Sequence, residues 1–510
     1  MGAAIVIIAA SLMAAKKFAP HINGEGMSGM ELKVAWPNTE PIEKYEPTRI
    51  HLAPQYILLE NLYGTLVNLD VEGEVTSGIA EQYEWVGNEL HFQIRKDLKT
   101  ADGMLITPED VIFSLKRLLV IAENTHGNLK SILCLHQTLT SVDSPCEGIE
   151  VSGDTVILKP VKKDPFLLPM VAAIDFAIIP RSSVDPKTLA IKDYRNTSGV
   201  YYVESDQGNG YTTLAVNPFH FDYSDKIPQK IQLIPTQKNE TAVDQFRRGE
   251  VNYIMTVDPV PHEEVYYYSK DNRDAEFHAT LPIRNYILVF SQKGQKRIPK
   301  VERLALGKKI QAAFRKNFEG MGLYEPSNEF FPSFGNGGLS DEQLREVEGQ
   351  IAKSNESVLN GKKYRVSLVR IGSIEKYRFL EKEVPNLQVE VGANVIDFAE
   401  YKNPDDMPDM MLVGPDTGFQ EDIGLVTYSM NAGFFGLERG ARKEWLKRYM
   451  AIDSKEERLK NLRSLHYQSL SEPVLVPLVM GPYVALVKKP WKIKLSKFYA
   501  NNPFTLIERE

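Results

Sequence analysis

Two hydrophobic periods follow one another between Glu89 and Leu119. Leu90, Phe92 and Ile94 alternate with His91, Gln93 and Arg95, the two-residue period of a strand with one face buried and the other toward water. A strand is therefore expected over 89 to 95. Asp102-Gly103 then makes a turn, and Thr107 caps a helix whose first position is Pro108, with Glu109 and Asp110 in the first turn, where the helix dipole favours anions. Val111, Leu115, Leu118 and Leu119 fall at i, i+4, i+7 and i+8, which predicts one buried stripe and leaves Lys116 and Arg117 outside.

Other fragments occur around this pair in a fixed order. Leu62-Tyr63 to Leu66-Val67, Ile79-Ala80 to Trp85, and Thr107 to Arg117 come first, followed by Ser198-Gly199-Val200-Tyr201-Tyr202 and Val216-Asn217-Pro218-Phe219. Gln245 to Val251 (QFRRGEV) and Val301 to Leu306 (VERLAL) come next. Ser454 to Glu457 opens a capping box ahead of a helix carrying Leu459 and Leu462, and Val476-Pro477-Leu478 lies beyond it. In this order, from Leu62 to Leu478, the fragments resemble the family 5 extracellular solute-binding proteins, the oligopeptide- and dipeptide-binding subunits of ABC importers.

Composition narrows the function classes independently. At 510 residues the chain is too long for one core, so two or three domains are expected. Sixty Lys and Arg against 67 Asp and Glu, a net charge of -7 and no basic block disfavour nucleic acid as a partner. With 43% apolar and 25% charged residues, the chain has the composition of an ordinary soluble globular protein. G-x-S-x-G, H-E-x-x-H and P-loop patterns do not occur, so neither an enzyme nor a cofactor is expected. Asp405, Asp406 and Asp409 read as a solvated acidic loop, because Pro404 and Pro408 break the spacing of a calcium loop.

The apolar run from Ala3 to Ala15 is too short to span a bilayer and about right for the core of a signal peptide. Export is the expectation, with an uncleaved N-terminal anchor as the alternative. No cysteine follows the run, which favours a free periplasmic protein over a lipoprotein. Cys134 and Cys146 are the only cysteines. A bridge between them would contribute ~3 kcal/mol on the chain-entropy model, and two buried free thiols are the other reading.

The family resemblance implies an α/β, two-lobed periplasmic-binding-protein fold of type II, in its large three-domain variant, with a hinge and an interlobe ligand cleft. Residues 1–30 would be the signal or N-terminal apolar segment. Lobe 1 would be discontinuous, built from 31–66, 178–270 and 470–510, with an inserted domain at 67–177, and lobe 2 would span 271–469. The apolar run Val474 to Val479 is expected to be a strand that returns to lobe 1.

The resemblance also implies site residues. In peptide-binding members an aspartate at the lobe interface meets the ligand's α-ammonium group, and Asp416, within Gly414-Pro415-Asp416-Thr417-Gly418, best occupies that position. A carboxylate in a water-poor cleft needs a cation, and an ammonium ion supplies charge and three donors. The plainer reading is a turn whose acid faces water. Gly414 has a backbone N–H to offer an extended peptide where Pro415 has none; Thr417 and Gly418 belong to the same segment. His51, Leu52 and Ala53 would border the cleft, His51 either binding a ligand carboxylate or carbonyl or serving as an ordinary satisfied histidine. Met480 stands where relatives often place a tyrosine.

The function expected on this basis is capture of a short peptide or similar small solute and its delivery, by a monomer, to an ABC permease in the inner membrane. A non-transport binding module with the same fold, or a receptor for a non-peptide solute, is the alternative.

Overall fold

The computed structural model describes residues 30–510 apart from 38–43, 49, 51–52, 122–138, 162, 165, 209, 237–240, 256–267, 271–272, 319–322, 333–336, 369–376, 385, 392–405, 415–422 and 497–502. Strand β1 (Glu31–Trp36) and helix α1 (Ala53–Leu62) open the chain, followed by strands β2 (Ala80–Val86) and β3 (Glu89–Ile94), helix α2 (Pro108–Ile121), and strands β4 (Ile149–Ser152) and β5 (Thr155–Leu158). Strands β6 (Tyr201–Asp206), β7 (Thr212–Val216), β8 (Lys230–Pro235), β9 (Tyr253–Met255), β10 (Ala275–Ala279) and β11 (Arg284–Phe290) precede helix α3 (Lys300–Phe318). Strands β12 (Glu325–Pro326), β13 (Tyr364–Leu368), β14 (Leu387–Val391) and β15 (Met410–Val413), helix α4 (Lys455–Ser471), and strands β16 (Leu475–Gly481) and β17 (Val484–Lys488) complete the framework.

These strands form three sheets. A seven-stranded sheet has the order β10-β17-β9-β1-β8-β7-β6, a six-stranded sheet the order β12-β16-β11-β15-β13-β14, and a four-stranded sheet the order β2-β3-β5-β4. The expected strand over 89 to 95 is β3, whose Leu90, Phe92 and Ile94 are buried to 1% exposure or less while their neighbours are half-exposed. Helix α2 begins at Pro108, and the Asp110 carboxylate accepts the Thr107 N–H at 2.9 Å. Val111, Leu115, Leu118 and Leu119 are buried with β3 in one core.

Arg117 corrects the sequence reading. It is 1% exposed rather than outside, and its guanidinium donates to both Glu46 carboxylate oxygens, at 3.1 and 2.5 Å, and through Nε to the Leu189 carbonyl at 2.8 Å. Burial pushes the Glu46 carboxyl up, but the bonds and charge of Arg117, with two bonds from Thr48, outweigh it and hold the carboxyl below its usual value. A basic residue beside an apolar stripe reads as surface from periodicity alone; its acid lies 71 residues away in sequence.

In the six-stranded sheet, alternate residues of β11 enter different cores. Tyr286, Leu288 and Phe290 pack with Leu306, Ile310 and Phe314 of α3, whereas Ile287 and Val289 pack with Leu462 and Leu465 of α4. The sheet is thus covered on both faces, and a central strand must be apolar on both. Strand β16 meets that demand with all seven residues buried. It lies between β12 and β11, so the run Val474 to Val479 is not the strand that returns to the first sheet. That return is made by β17, which pairs with β9 and β10. A continuous apolar run reports that both faces are covered, not which sheet covers them. The early segment behaves the same way: β10, at 275–279, is an edge of the seven-stranded sheet.

Cys146 is disulfide-bonded, and Cys134 is the only other cysteine in the chain. Among the described residues no helix is long and apolar enough to cross a membrane; the run Ala3 to Ala15 lies outside them.

Candidate functional site

The two large sheets are joined by two short connections. Thr280 to Ile283 links β10 to β11, and Pro482-Tyr483 links β16 to β17. The connections are bonded to each other: the Thr280 N–H donates to the Tyr483 carbonyl and the Tyr483 N–H donates to Thr280 Oγ1, both at 2.9 Å. Ile283 and Tyr483 are each 1% exposed and pack together beneath them.

Arg284 is the first residue past this junction and lies opposite Gly481 in the β11–β16 pairing. Its guanidinium sits over two rings, 5.6 Å from the centroid of Tyr286 and 5.5 Å from that of Tyr483, within the range of cation–π attraction. Gly414, at the carboxyl end of β15, lies against the same group. A Cβ there would stand 3.2 Å from Arg284 Nε and 3.4 Å from a Tyr286 ring carbon. Gly481 makes a similar accommodation, since a Cβ at that position would fall 2.5 Å from the Tyr324 ring. Tyr324 in turn contacts Tyr286 and Phe318, with centroids 6.3 and 4.5 Å apart. An aromatic row thus runs from α3 to the junction and ends on a cation.

Parallel strands direct their carboxyl ends toward ligands in open α/β sheets. Strand β15 runs parallel to β13, and β1 runs parallel to β8 and β9. Gly414 follows the end of β15; Trp36 ends β1. Beside Trp36 lies a shallow apolar depression lined by Val34, Pro54, Ile57, Tyr253 and Phe504, at the start of α1.

Of the residues expected to bind ligand, Gly414, Met480 and Ala53 are described. Gly414 is partly exposed and touches the Arg284–Tyr286 pair. Met480 is 7% exposed and is paired across the sheet with Asn285 and Glu325. Ala53 is the first residue of α1. Asp416, Thr417, Gly418, His51 and Leu52 lie outside the described residues. Around Gly414 and Gly481 the structure gathers Arg284, Tyr286, Tyr324 and Tyr483, which the sequence reading passed over. Tyr286 was legible as the start of an apolar strand, but no spacing announces that Tyr324 covers Gly481 or that Tyr483 shares a cation with Tyr286.

The acidic stretch is also corrected. Asp409 is 8% exposed and ion-paired with Arg297, so it is interior rather than solvated; Asp406 is exposed, and Asp405 lies outside the described residues. Among the described residues no cluster of His, Cys, Asp and Glu has the makings of a metal site.

Residues 74–314 match the family model "Bacterial extracellular solute-binding proteins, family 5 Middle". The periplasmic oligopeptide-binding protein OppA of Salmonella typhimurium is 22% identical over 273 residues, 47% of this chain and 49% of that protein. The chain thus aligns with about half the length of the curated relatives it matches. The fold extends further. The murein tripeptide binding protein MppA of Escherichia coli superposes with a TM-score of 0.74 at 16% identity, covering 94% of this chain and 98% of that one. The periplasmic binding protein DppA of Helicobacter pylori, in complex with the peptide STSA, superposes with a TM-score of 0.74 at 14% identity over 94% and 98% of the two chains. The family 5 match thus reaches from the four-stranded sheet into α3, just under half of the chain, and the two-lobed fold is shared nearly end to end with these binding proteins.

Proposed function

We propose that the chain captures short peptides between its two lobes and delivers them, as a periplasmic monomer, to an ABC-type permease. The junction carries this reading. Two connections tied by Thr280 and Tyr483 let the sheets turn about one line, and a polar and aromatic surface built by Arg284, Tyr286 and Gly414 lies beside that line. Closure of two lobes over a solute is the expected use of such a hinge. The names of OppA, MppA and DppA support peptide as the solute, and a disulfide at Cys146 agrees with export. The lobes of this reading are the seven-stranded and six-stranded sheets with their helices, and the four-stranded sheet with α2 is an added domain.

Asp416 orients the ligand by pairing with its α-ammonium group, and the Gly414 N–H, Thr417 and Gly418 meet the peptide beside it. His51, Leu52 and Ala53 border the ligand from the opposite lobe, and Met480 forms part of the floor. Backbone bonds at ~0.5–1.5 kcal/mol each and one charge pair are enough for micromolar binding, about -8 kcal/mol, after ordering costs.

The test is to purify the exported chain without added ligand, denature it and identify released small molecules by mass spectrometry, comparing wild type with Asp416→Ala. Peptides released by wild type and lost in the variant are the expected result. Peptides in both leave the function standing and remove the anchor. An empty chain that shows no thermal shift with a peptide pool overturns peptide capture.

A further inference from the structure

We infer that the helix Arg439–Ala451 is a docking face for an anionic phospholipid surface, so that the lobe built on the six-stranded sheet settles against the membrane whatever solute the cleft holds.

The helix carries Arg439, Arg442, Lys443, Lys447 and Arg448 against a single acid, Glu444, in a chain whose net charge is -7. Packing fixes its inner face: Leu446 and Tyr449 are buried with Leu462 and Leu465 of α4, and the Trp445 and Tyr449 rings stack with centroids 4.8 Å apart. Arg442 is tied to the end of the preceding helix (Ile423–Ala432), donating to the Asn431 carbonyl at 2.6 Å. The other four cations are exposed, and none forms an ion pair with a described residue. Arg439, Lys443 and Lys447 recur at i, i+4 and i+8, which aligns them in one stripe ~12 Å long at 1.5 Å per residue, and Arg448 lies beside its end. Glu438 and Asp453 flank the helix. Like charges at this spacing oppose one another along a helix, a strain that an anionic partner would relieve.

The kind of partner follows from what accompanies the stripe. None of the exposed large apolar side chains among the described residues lies on this helix, and the cations project from a convex outer face, whereas a shaped protein interface has an apolar centre inside a polar rim. A bilayer of anionic headgroups needs neither an apolar anchor nor a matching shape, and it attracts each Lys or Arg at its surface by a comparable, additive amount. Salt confines that attraction to about 8 Å at physiological ionic strength. Four cations on one face can therefore hold to the lipid while the acids on other faces are screened from it.

The full chain is sedimented with vesicles of phosphatidylcholine alone and of phosphatidylcholine with phosphatidylglycerol, at low and high salt. The neutral vesicles set the baseline, including any charge-independent insertion of the apolar run Ala3 to Ala15. Wild type is expected to prefer the anionic vesicles by roughly tenfold or more at low salt and to lose that preference at high salt. The triple variant Arg439→Gln, Lys443→Gln, Lys447→Gln removes three exposed charges with a residue that favours helices and is expected to abolish most of the preference at an unchanged melting temperature. Two further chains separate this face from charge in general: Lys187→Gln, Lys192→Gln, Lys353→Gln, which neutralises three exposed lysines elsewhere, and Lys443→Arg, Lys447→Arg, which keeps the charge. Both should bind as wild type does. A wild type indifferent to phosphatidylglycerol overturns the assignment and leaves the stripe to an acidic protein surface. Undiminished preference in the triple variant, or an equal loss in the elsewhere-neutralised or charge-keeping chain, overturns it as well.

Discussion

Thr280 and Tyr483 exchange two hydrogen bonds, each backbone N–H satisfied by the other residue, at the only points among the described residues where the chain passes between its two large sheets. Tyr483 is 1% exposed, so its N–H has no water to fall back on. Thr280→Val keeps the shape and removes the acceptor. The expected cost is ~1–3 kcal/mol, that of an unsatisfied buried donor, read as a lower urea midpoint at unchanged m-value. Thr280→Ser, which keeps the hydroxyl, should stay close to wild type. Equal stability of the valine variant and wild type would show that the pairing is incidental.

Arg117 and Glu46 form the most deeply placed ion pair described here, with exposures of 1% and 13%. Removing one member strands a charge, so Arg117→Met should destabilise by ~3–5 kcal/mol, and the double variant Arg117→Met with Glu46→Leu should recover part of the loss. Because the folded Glu46 carboxyl lies below its ordinary value, its contribution is complete above about 4.5 and is lost as pH falls below that through the folded value. Chemical denaturation of the three chains at pH 7, 5 and 3.5 checks both statements; a double variant weaker than the single one would refute the charge-stranding account.

His466 is a buried neutral histidine with both nitrogens used. The Phe330 N–H donates to Nε2 at 3.0 Å, which leaves Nδ1 to carry the proton and donate to the Gly337 carbonyl, also at 3.0 Å. Burial depresses its pKa to about 4, with the bond to Gly337 opposing. Between pH 6.5 and 4 the unfolded chain takes up a proton that the folded chain refuses, so this residue's share of stability falls as pH falls through that window. His466→Phe should be less stable than wild type at pH 7.5, since two backbone groups lose partners, and the gap should narrow on acidification to pH 4. A gap independent of pH would mean that His466 titrates normally in the fold.

Glu60 acts in the opposite direction. Its Oε2 is buried without a hydrogen-bond partner, and burial lifts its pKa from an ordinary 4.5 to about 8. The folded chain holds a proton there that the unfolded chain has released, so stability declines as pH rises from 4.5 to 8 and is level beyond. Glu60→Met should therefore be more stable than wild type at pH 8, with the advantage shrinking toward pH 4.5. Urea midpoints of the two chains across that range give the answer, and a constant difference would count against a buried protonated acid.

Much of this molecule was legible in its residues because local chemistry fixes local form. The alternation Leu90-Phe92-Ile94, the Thr107-Pro108 helix start and the stripe Val111 to Leu119 needed no partner to be read, and each is where the sequence placed it. The ordered fragments from Leu62 to Leu478 carried the fold class for the same reason. What they could not carry was pairing across long separations. Arg117 has the sequence of a surface residue and the environment of a core one, because Glu46 arrives from a distant segment. The run Val474 to Val479 announces a doubly covered strand, yet only the sheet order puts it beside β11 rather than in the sheet of β1. The cation at Arg284 belongs to this second group. Its surroundings are Tyr286 from its own strand, Tyr483 from a connection 199 residues later and Gly414 just past the end of β15; periodicity describes what each residue's neighbours in sequence require, whereas such a cluster is made of residues that only the folded chain makes neighbours.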